Sequence, residues 1–145
     1  ILAAIAIPAY QDYTARAQAA EGFKATAGLQ SDIGVYASDV GELPDGAANA
    51  TDAKVAALLA QARNLDGKYF SKSTTDTGTG GVTLHDDGVI AVKFDAGVND
   101  DHGMILTPTL NTANGQISKW ACAGDTAKSG ATNALASNRL PTSCQ

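Results

Sequence analysis

Ile1-Leu2-Ala3-Ala4-Ile5-Ala6-Ile7-Pro8-Ala9-Tyr10-Gln11-Asp12-Tyr13 opens the chain. Residues 1–9 carry no charge and most are bulky and apolar, after which the sequence turns polar. From Tyr10 to about Ala37 the pattern is helical and free of proline. Ala19, Phe23, Thr26, Leu29, Ile33, Tyr36 and Ala37 fall on one side of a 3.6-residue wheel, with Glu21, Lys24, Ser31 and Asp32 on the other. Residues 1–9 extend this helix toward the N-terminus. At 1.5 Å per residue the whole run spans about 55 Å, more than a compact body of this size covers. One end must protrude. Because that end is apolar, it needs another chain or lipid to shield it from water.

The apolar stretch also reads as the tail of a longer apolar segment, since no basic leader or small-residue cleavage site of a signal peptide accompanies it. The competing reading is an N-terminal core strand or helix. Pro8 removes a backbone donor and clashes with the preceding turn. The helix therefore either loosens over residues 4–7 or takes Pro8 into its first turn.

Downstream, Gly41-Glu42-Leu43-Pro44-Asp45-Gly46 is turn chemistry. Thr51-Asp52 can cap a short helix whose apolar side is Val55, Ala56, Leu58, Leu59 and Ala62, with Asn64 near its end. Ser71 to Gly81 reads as an exposed loop. After Gly81 the period changes. Val82–Leu84, Val89–Phe94, Met104–Leu110 and Gln116–Ala121 are short runs rich in β-branched or bulky residues, separated by Asp87-Gly88, by Asn99 to Gly103 and by Asn114-Gly115. They predict an antiparallel meander with one face on the helix and the other outward. Pro108 puts the third strand locally at an edge or bulge. The fold class is α+β, a long N-terminal helix packed on a four-stranded antiparallel sheet.

Cys122 and Cys144 are the only cysteines, the second one residue from the C-terminus. Their spacing suits neither a CxxC motif nor a four-ligand zinc site, and reads as a staple tying the last segment to the body. Closing this loop stabilises the fold by roughly 3 kcal/mol in the chain-entropy model. The bond implies an oxidising compartment such as the periplasm or cell exterior, whereas two buried thiols would imply the cytosol.

The 145 residues suit a single domain, and 28 of the apolar ones are alanine, so the core is thin and its helices pack closely. A net charge of −5 without any Lys/Arg run argues against direct nucleic-acid binding. There is no 18-residue apolar run to span a membrane. Catalytic signatures are missing too: no GxSxG, no phosphate-cradling glycine loop and no His/Cys cluster at ligand spacing. His85-Asp86-Asp87 and Asp100-Asp101-His102 place both histidines in turns, where Asp bonds local backbone. Asp95, Asn99, Asp100 and Asp101 have oxygens for calcium but lack EF-hand spacing. Trp120, beside Cys122, is expected against the bridge. The expectation is a protein without cofactor or metal that is not an enzyme.

Residues Ile1 to Gln18 closely resemble the later part of the N-terminal helix of type IVa pilins. Ile117-Ser118-Lys119-Trp120-Ala121-Cys122 and Leu140-Pro141-Thr142-Ser143-Cys144-Gln145 resemble that family's last strand and C-terminal disulfide loop. The roughly 100 residues between carry no assignable motif. The resemblance implies a helix half embedded in a globular head, with residues 1–37 as helix, 38–81 as connection, 82–121 as sheet and 122–145 as disulfide loop. It implies the major subunit of a type IV pilus, polymerising with its own copies into a surface filament for adhesion, twitching motility, DNA uptake or phage attachment. The alternative is a minor pilin or type II secretion pseudopilin. Ile1, Leu2, Ile5, Ile7, Pro8, Tyr10 and Tyr13 are then the assembly residues. The bacterial inner membrane and the pilus assembly machinery are partners before assembly, and surface or host receptors would meet Ala123 to Ser143. Ser71 to Thr79 and Thr126 to Ser143 hold candidate modification sites. The family's methylated Phe start and nearby Glu are missing here, which reads as truncation.

Overall fold

The computed structural model of the chain describes residues 2–46, 51–76 and 80–145, with side chains from residue 5 onward. The helical pattern resolves into two helices, α1 (Leu2–Ala25) and α2 (Ala27–Val40), where the periodicity predicts one. The interruption is Thr26. Its hydroxyl donates to the Phe23 carbonyl at 2.8 Å and its amide reaches the same oxygen at 3.3 Å, an i to i−3 closure. Gln30 Nε2 donates to the Thr26 hydroxyl at 2.9 Å, so the buried break is fully bonded. The wheel otherwise holds: Ala19, Leu29, Ile33, Tyr36 and Ala37 are buried, Phe23 is partly so, and Glu21, Lys24, Ser31 and Asp32 are exposed. At Gly22 the helix approaches the sheet so closely that a Cβ would stand 3.0 Å from the Phe94 ring. Gly41, at φ +86°, ends α2 by donating to Ala37.

The third helix, α3 (Ala53–Asn64), is capped by Asp52, whose carboxylate accepts from the amides of Lys54 at 2.8 Å and Val55 at 3.2 Å. Val55, Leu58, Leu59 and Ala62 are buried, whereas Ala56, expected with them, is exposed. The following loop is mostly exposed but buries Ser73, and its residues 77–79 lie outside the described residues.

Four strands follow, β1 (Val82–Leu84), β2 (Ile90–Lys93), β3 (His102–Asn111) and β4 (Gln116–Gly124), each antiparallel to the next. The Asp-Gly and Asn-Gly turns sit as predicted: Asp87, Gly88 and Gly115 take φ of 58°, 67° and 68°. The ladder between β2 and β3 ends at Leu106, so Pro108 stands where β3 has only β4 beside it, and the register shifts between Thr109 and Leu110. A fifth strand, β5 (Asn133–Ala134), pairs in parallel with the start of β3 inside a stretch the sequence reads as loop. Two residues are too few to show a period.

Leu29, Ile33, Tyr36, Val55 and Leu59 meet Val82, Leu84, Ile90, Val92, Met104 and Leu106 in one core, with Phe70 and Phe94 edge to face at 6.5 Å. The expectation of an open outer face holds on β3 and β4, where Thr107, Thr109 and Ala123 are exposed, and is corrected on β1 and β2. There Thr83 and Ala91, which point away from that core, are also buried, and residues 129–130 reach across to Lys93 and Gly103. A Cβ on Gly103 would collide with Ser129, and Lys93 Nζ donates to Gly130 at 3.3 Å. Polar side chains make this cover, Asp125 and Ser129 bonding within it, so no apolar run announces it.

Candidate functional site

Residues 5–11 of α1 are all exposed. Ile5 is 69% and Ile7 59% accessible, and Tyr10 and Tyr13 stand at 71% and 75%. Ile1, and the side chain of Leu2, lie outside the described residues. Pro8 is inside an unbroken helix. Neither the loosening expected over residues 4–7 nor a helix beginning at Pro8 is seen. One lost donor in a helix exposed over residues 5–11 leaves the flanking turns intact. Among the described residues, no helix is long and apolar enough to cross a membrane.

Besides the packing of Ala19 and Phe23 on the core, the head, made of α2, α3 and the sheet, holds α1 by hydrogen bonds from two turns. Gln18 Oε1 accepts from the Val98 amide at 3.1 Å, and Asn99 Nδ2 donates to the Ala15 carbonyl at 2.7 Å. Both come from the turn Gly97–Asn99. The second hold is the turn Ser137–Arg139. Arg139 Nε and Asn138 Nδ2 donate to the two oxygens of Asp12 at 3.1 and 3.0 Å, and the Arg16 guanidinium donates to the Asn138 carbonyl at 3.1 and 2.6 Å. These contacts were missed at the sequence level. The only hint was that Asp12 and Arg16, four apart, share a helix face.

Cys122 and Cys144 form a disulfide with Cα atoms 5.1 Å apart. Cys144 is 3% exposed, its carbonyl accepts from the Cys122 amide, and the loop so closed carries β5 and the Ser137–Arg139 turn. Trp120 pairs with Pro108 across the ladder and lines a shallow groove with Val35, Ser38 and Ile117, between α2 and β4.

The acidic residues considered for calcium are not brought together. Asp95 Oδ2 accepts from the Ser71 amide at 2.9 Å, and Asn99 lies buried beneath α1. Asp101 accepts from Thr132 and pairs with Lys93 at 3.3 Å; the Thr132 bonds foremost hold its carboxyl down at about 2. Among the described residues no group of three or more His, Cys, Asp or Glu is placed to hold a metal ion.

His102 Nδ1 is bonded to the Asp100 carbonyl at 2.8 Å, a local turn contact. His85 is different. Its Nε2 lies 3.0 Å from the Thr83 hydroxyl beneath the outer cover. Burial first, and then the Lys128 ammonium, push its pKa below the ordinary 6.5, against the opposing pull of the Lys128 backbone, Asp86 and Asp125. The unfolded chain therefore takes up this proton first as pH falls. The stability His85 supports is full above about pH 6.5 and declines below it, by no more than about 1.4 kcal/mol per pH unit for one proton. Melting temperature is expected to fall between about pH 7 and pH 5, and His85→Gln to flatten that slope. An equal slope in the variant excludes His85 as the source.

The Pilin family model, described as a bacterial filament family, matches residues 15–145. The type IV major pilin protein PilE1 of Neisseria gonorrhoeae is 35% identical over 123 residues, covering 84% of this chain and 65% of that protein. A fimbrial protein of Neisseria meningitidis serogroup B is 35% identical over 84% of the chain and 62% of its own length. The fimbrial protein EcpC of Eikenella corrodens is 35% identical over 86% of the chain and 72% of its own. This chain thus spans a little under two thirds of the Neisseria relatives it matches. An N-terminal helix whose first turns stand clear of the head and whose later turns pack on an antiparallel sheet, a bridged C-terminal loop and a family match over residues 15–145 together place the chain in the pilin family.

Proposed function

We propose that this chain is the major subunit of a type IV pilus, a structural protein and not an enzyme, which polymerises with its own copies through α1 into a filament on the bacterial surface. The observation that carries the reading is the exposure of Ile5 and Ile7 on a helix whose first contact with the head is at Asp12. Each such side chain gains about 1.5–3 kcal/mol when fully buried, and only neighbouring subunits or lipid offer that burial. Ile1, Leu2, Pro8, Tyr10 and Tyr13 belong to the same assembly face. Before polymerisation this end rests in the inner membrane, where the assembly machinery collects it. The filament then serves adhesion, twitching motility, phage attachment and DNA uptake, the last without direct duplex binding by a subunit of net charge −5. Residues 1–145 act as one domain, with receptors meeting the 123–143 loop.

Filaments sheared from the cell surface test this. The chain is expected as their most abundant protein. A trace amount would make it a minor pilin, and its absence from them a secretion pseudopilin.

A further inference from the structure

We propose that Asp12, Arg16, Asn138 and Arg139 form a lock that fixes the direction in which the free part of α1 leaves the head, and that filament growth depends on that direction. The second half rests on the function proposed above. The contacts are reciprocal: the helix acid takes two donors from the turn, and the helix cation donates twice to the turn's carbonyl. The Arg139 side chain is half-buried, 25% exposed, and that of Asp12 more open at 38%. Toward the N-terminus from Asp12 the described side chains are all exposed, so this is the last place where the head touches the helix.

The position of the lock explains why it orients. α1 is already packed on the core through Ala19 and Phe23 and held by the Gly97–Asn99 turn at Ala15 and Gln18. The Asp12 contacts add a hold about one turn nearer the N-terminus, supplied by a separate segment of the chain, and so have the longest lever on the direction in which the free part of α1 leaves the head. The turn that makes the second grip is itself fixed. Gln145 Nε2 donates to the Ser137 and Leu140 carbonyls at 2.9 and 3.1 Å, Leu140 is buried, and the Cys122–Cys144 bridge closes the segment. The disulfide loop thereby acquires a task apart from any receptor: it stiffens the jaw that holds the helix. Identical heads stacked along a filament repeat any angular error at every step, so a weak contact in one subunit has a large effect on the polymer.

Two measurements test this. In the isolated chain, spin labels introduced as unnatural amino acids at the exposed positions Ala9 and Ser118 read the exit direction as a distance distribution. The distribution is expected to broaden in Asp12→Asn, and an unchanged width overturns the lock. In cells making the full-length protein, Asp12→Arg and Arg139→Asp are each expected to lower filament yield at least about tenfold. The double swap should return it to within about twofold of the parent, with the heads melting alike. Single variants that assemble like the parent, or a swap no better than either single change, overturn the dependence of growth on the lock. If the parent itself yields no filaments while the Asp12→Asn distribution broadens, the functional proposal fails and the lock stands.

Discussion

Ile5→Asp in the full-length protein is expected to abolish surface filaments while the head folds as before. In the single chain Ile5 is 69% exposed and packs against nothing in the head, so the change removes no contact there. In the filament proposed above the same position is buried between subunits. The substitution forfeits about 1.5–3 kcal/mol of apolar burial and asks a carboxylate to leave water, a further cost of several kcal/mol. Each tenfold in an association constant is 1.4 kcal/mol, so the loss is at least about a thousandfold at every addition step. Filament count by electron microscopy reads the first effect and the melting temperature of the head reads the second. Ile5→Val, which trims one methylene, should leave filaments present, separating a demand for apolar contact from a demand for a particular shape. Normal piliation in Ile5→Asp would remove the assembly face from the helix.

The same residues show what a sequence discloses and what it hides. The apolar positions of α1 and α2 repeat every three or four residues, and that period alone predicted which side is buried, since burial of a helix face is decided by its own stripe. The strands read at 82–84, 89–94, 104–110 and 116–121 fall on the four found at 82–84, 90–93, 102–111 and 116–124, two of the three connections being Asp-Gly and Asn-Gly turns whose backbone takes positive φ. Thr26 was counted as one more buried residue of a continuous helix. Its effect depends on a hydroxyl choosing the Phe23 carbonyl over solvent, a competition that periodicity does not register.

What escaped entirely was polar and long-range. Asp12 and Arg139 are 127 residues apart, Ala15 and Asn99 are 84 apart, and neither pair leaves a local pattern. Part of the outer face is sheltered by Asp125, Lys128 and Ser129, residues whose side chains suggest a solvated loop until the backbone brings them to His85 and Gly103. The surface proposed for assembly was legible for the opposite reason. Exposed isoleucines on a helix too long for its head are a conflict within the sequence itself, and such conflicts mark functional surfaces.

Removing the bridge with Cys122→Ser and Cys144→Ser together is expected to lower stability by about 3 kcal/mol, and the melting temperature by about 10 °C, without unfolding the sheet. The chain-entropy part follows from a sequence separation of 22. The bridge's release also loosens a particular region. Within the loop, β5 is held by Asn133 and Leu135, which donate to the Asp101 and Gly103 carbonyls, whereas the Ser137–Arg139 turn bonds to α1 and to Gln145, the residue after the bridged Cys144. Their amides should therefore lose hydrogen-exchange protection well before those of β2 and β3, which are paired along both edges over residues 90–92 and 104–106. If the exit direction of α1 depends on that turn, the Ala9–Ser118 distance distribution should broaden in the double serine variant as it does in Asp12→Asn. A variant that melts within about 2 °C of the parent, with protection unchanged in residues 133–140, would show that packing of Leu135 and Leu140 holds this segment without the bridge.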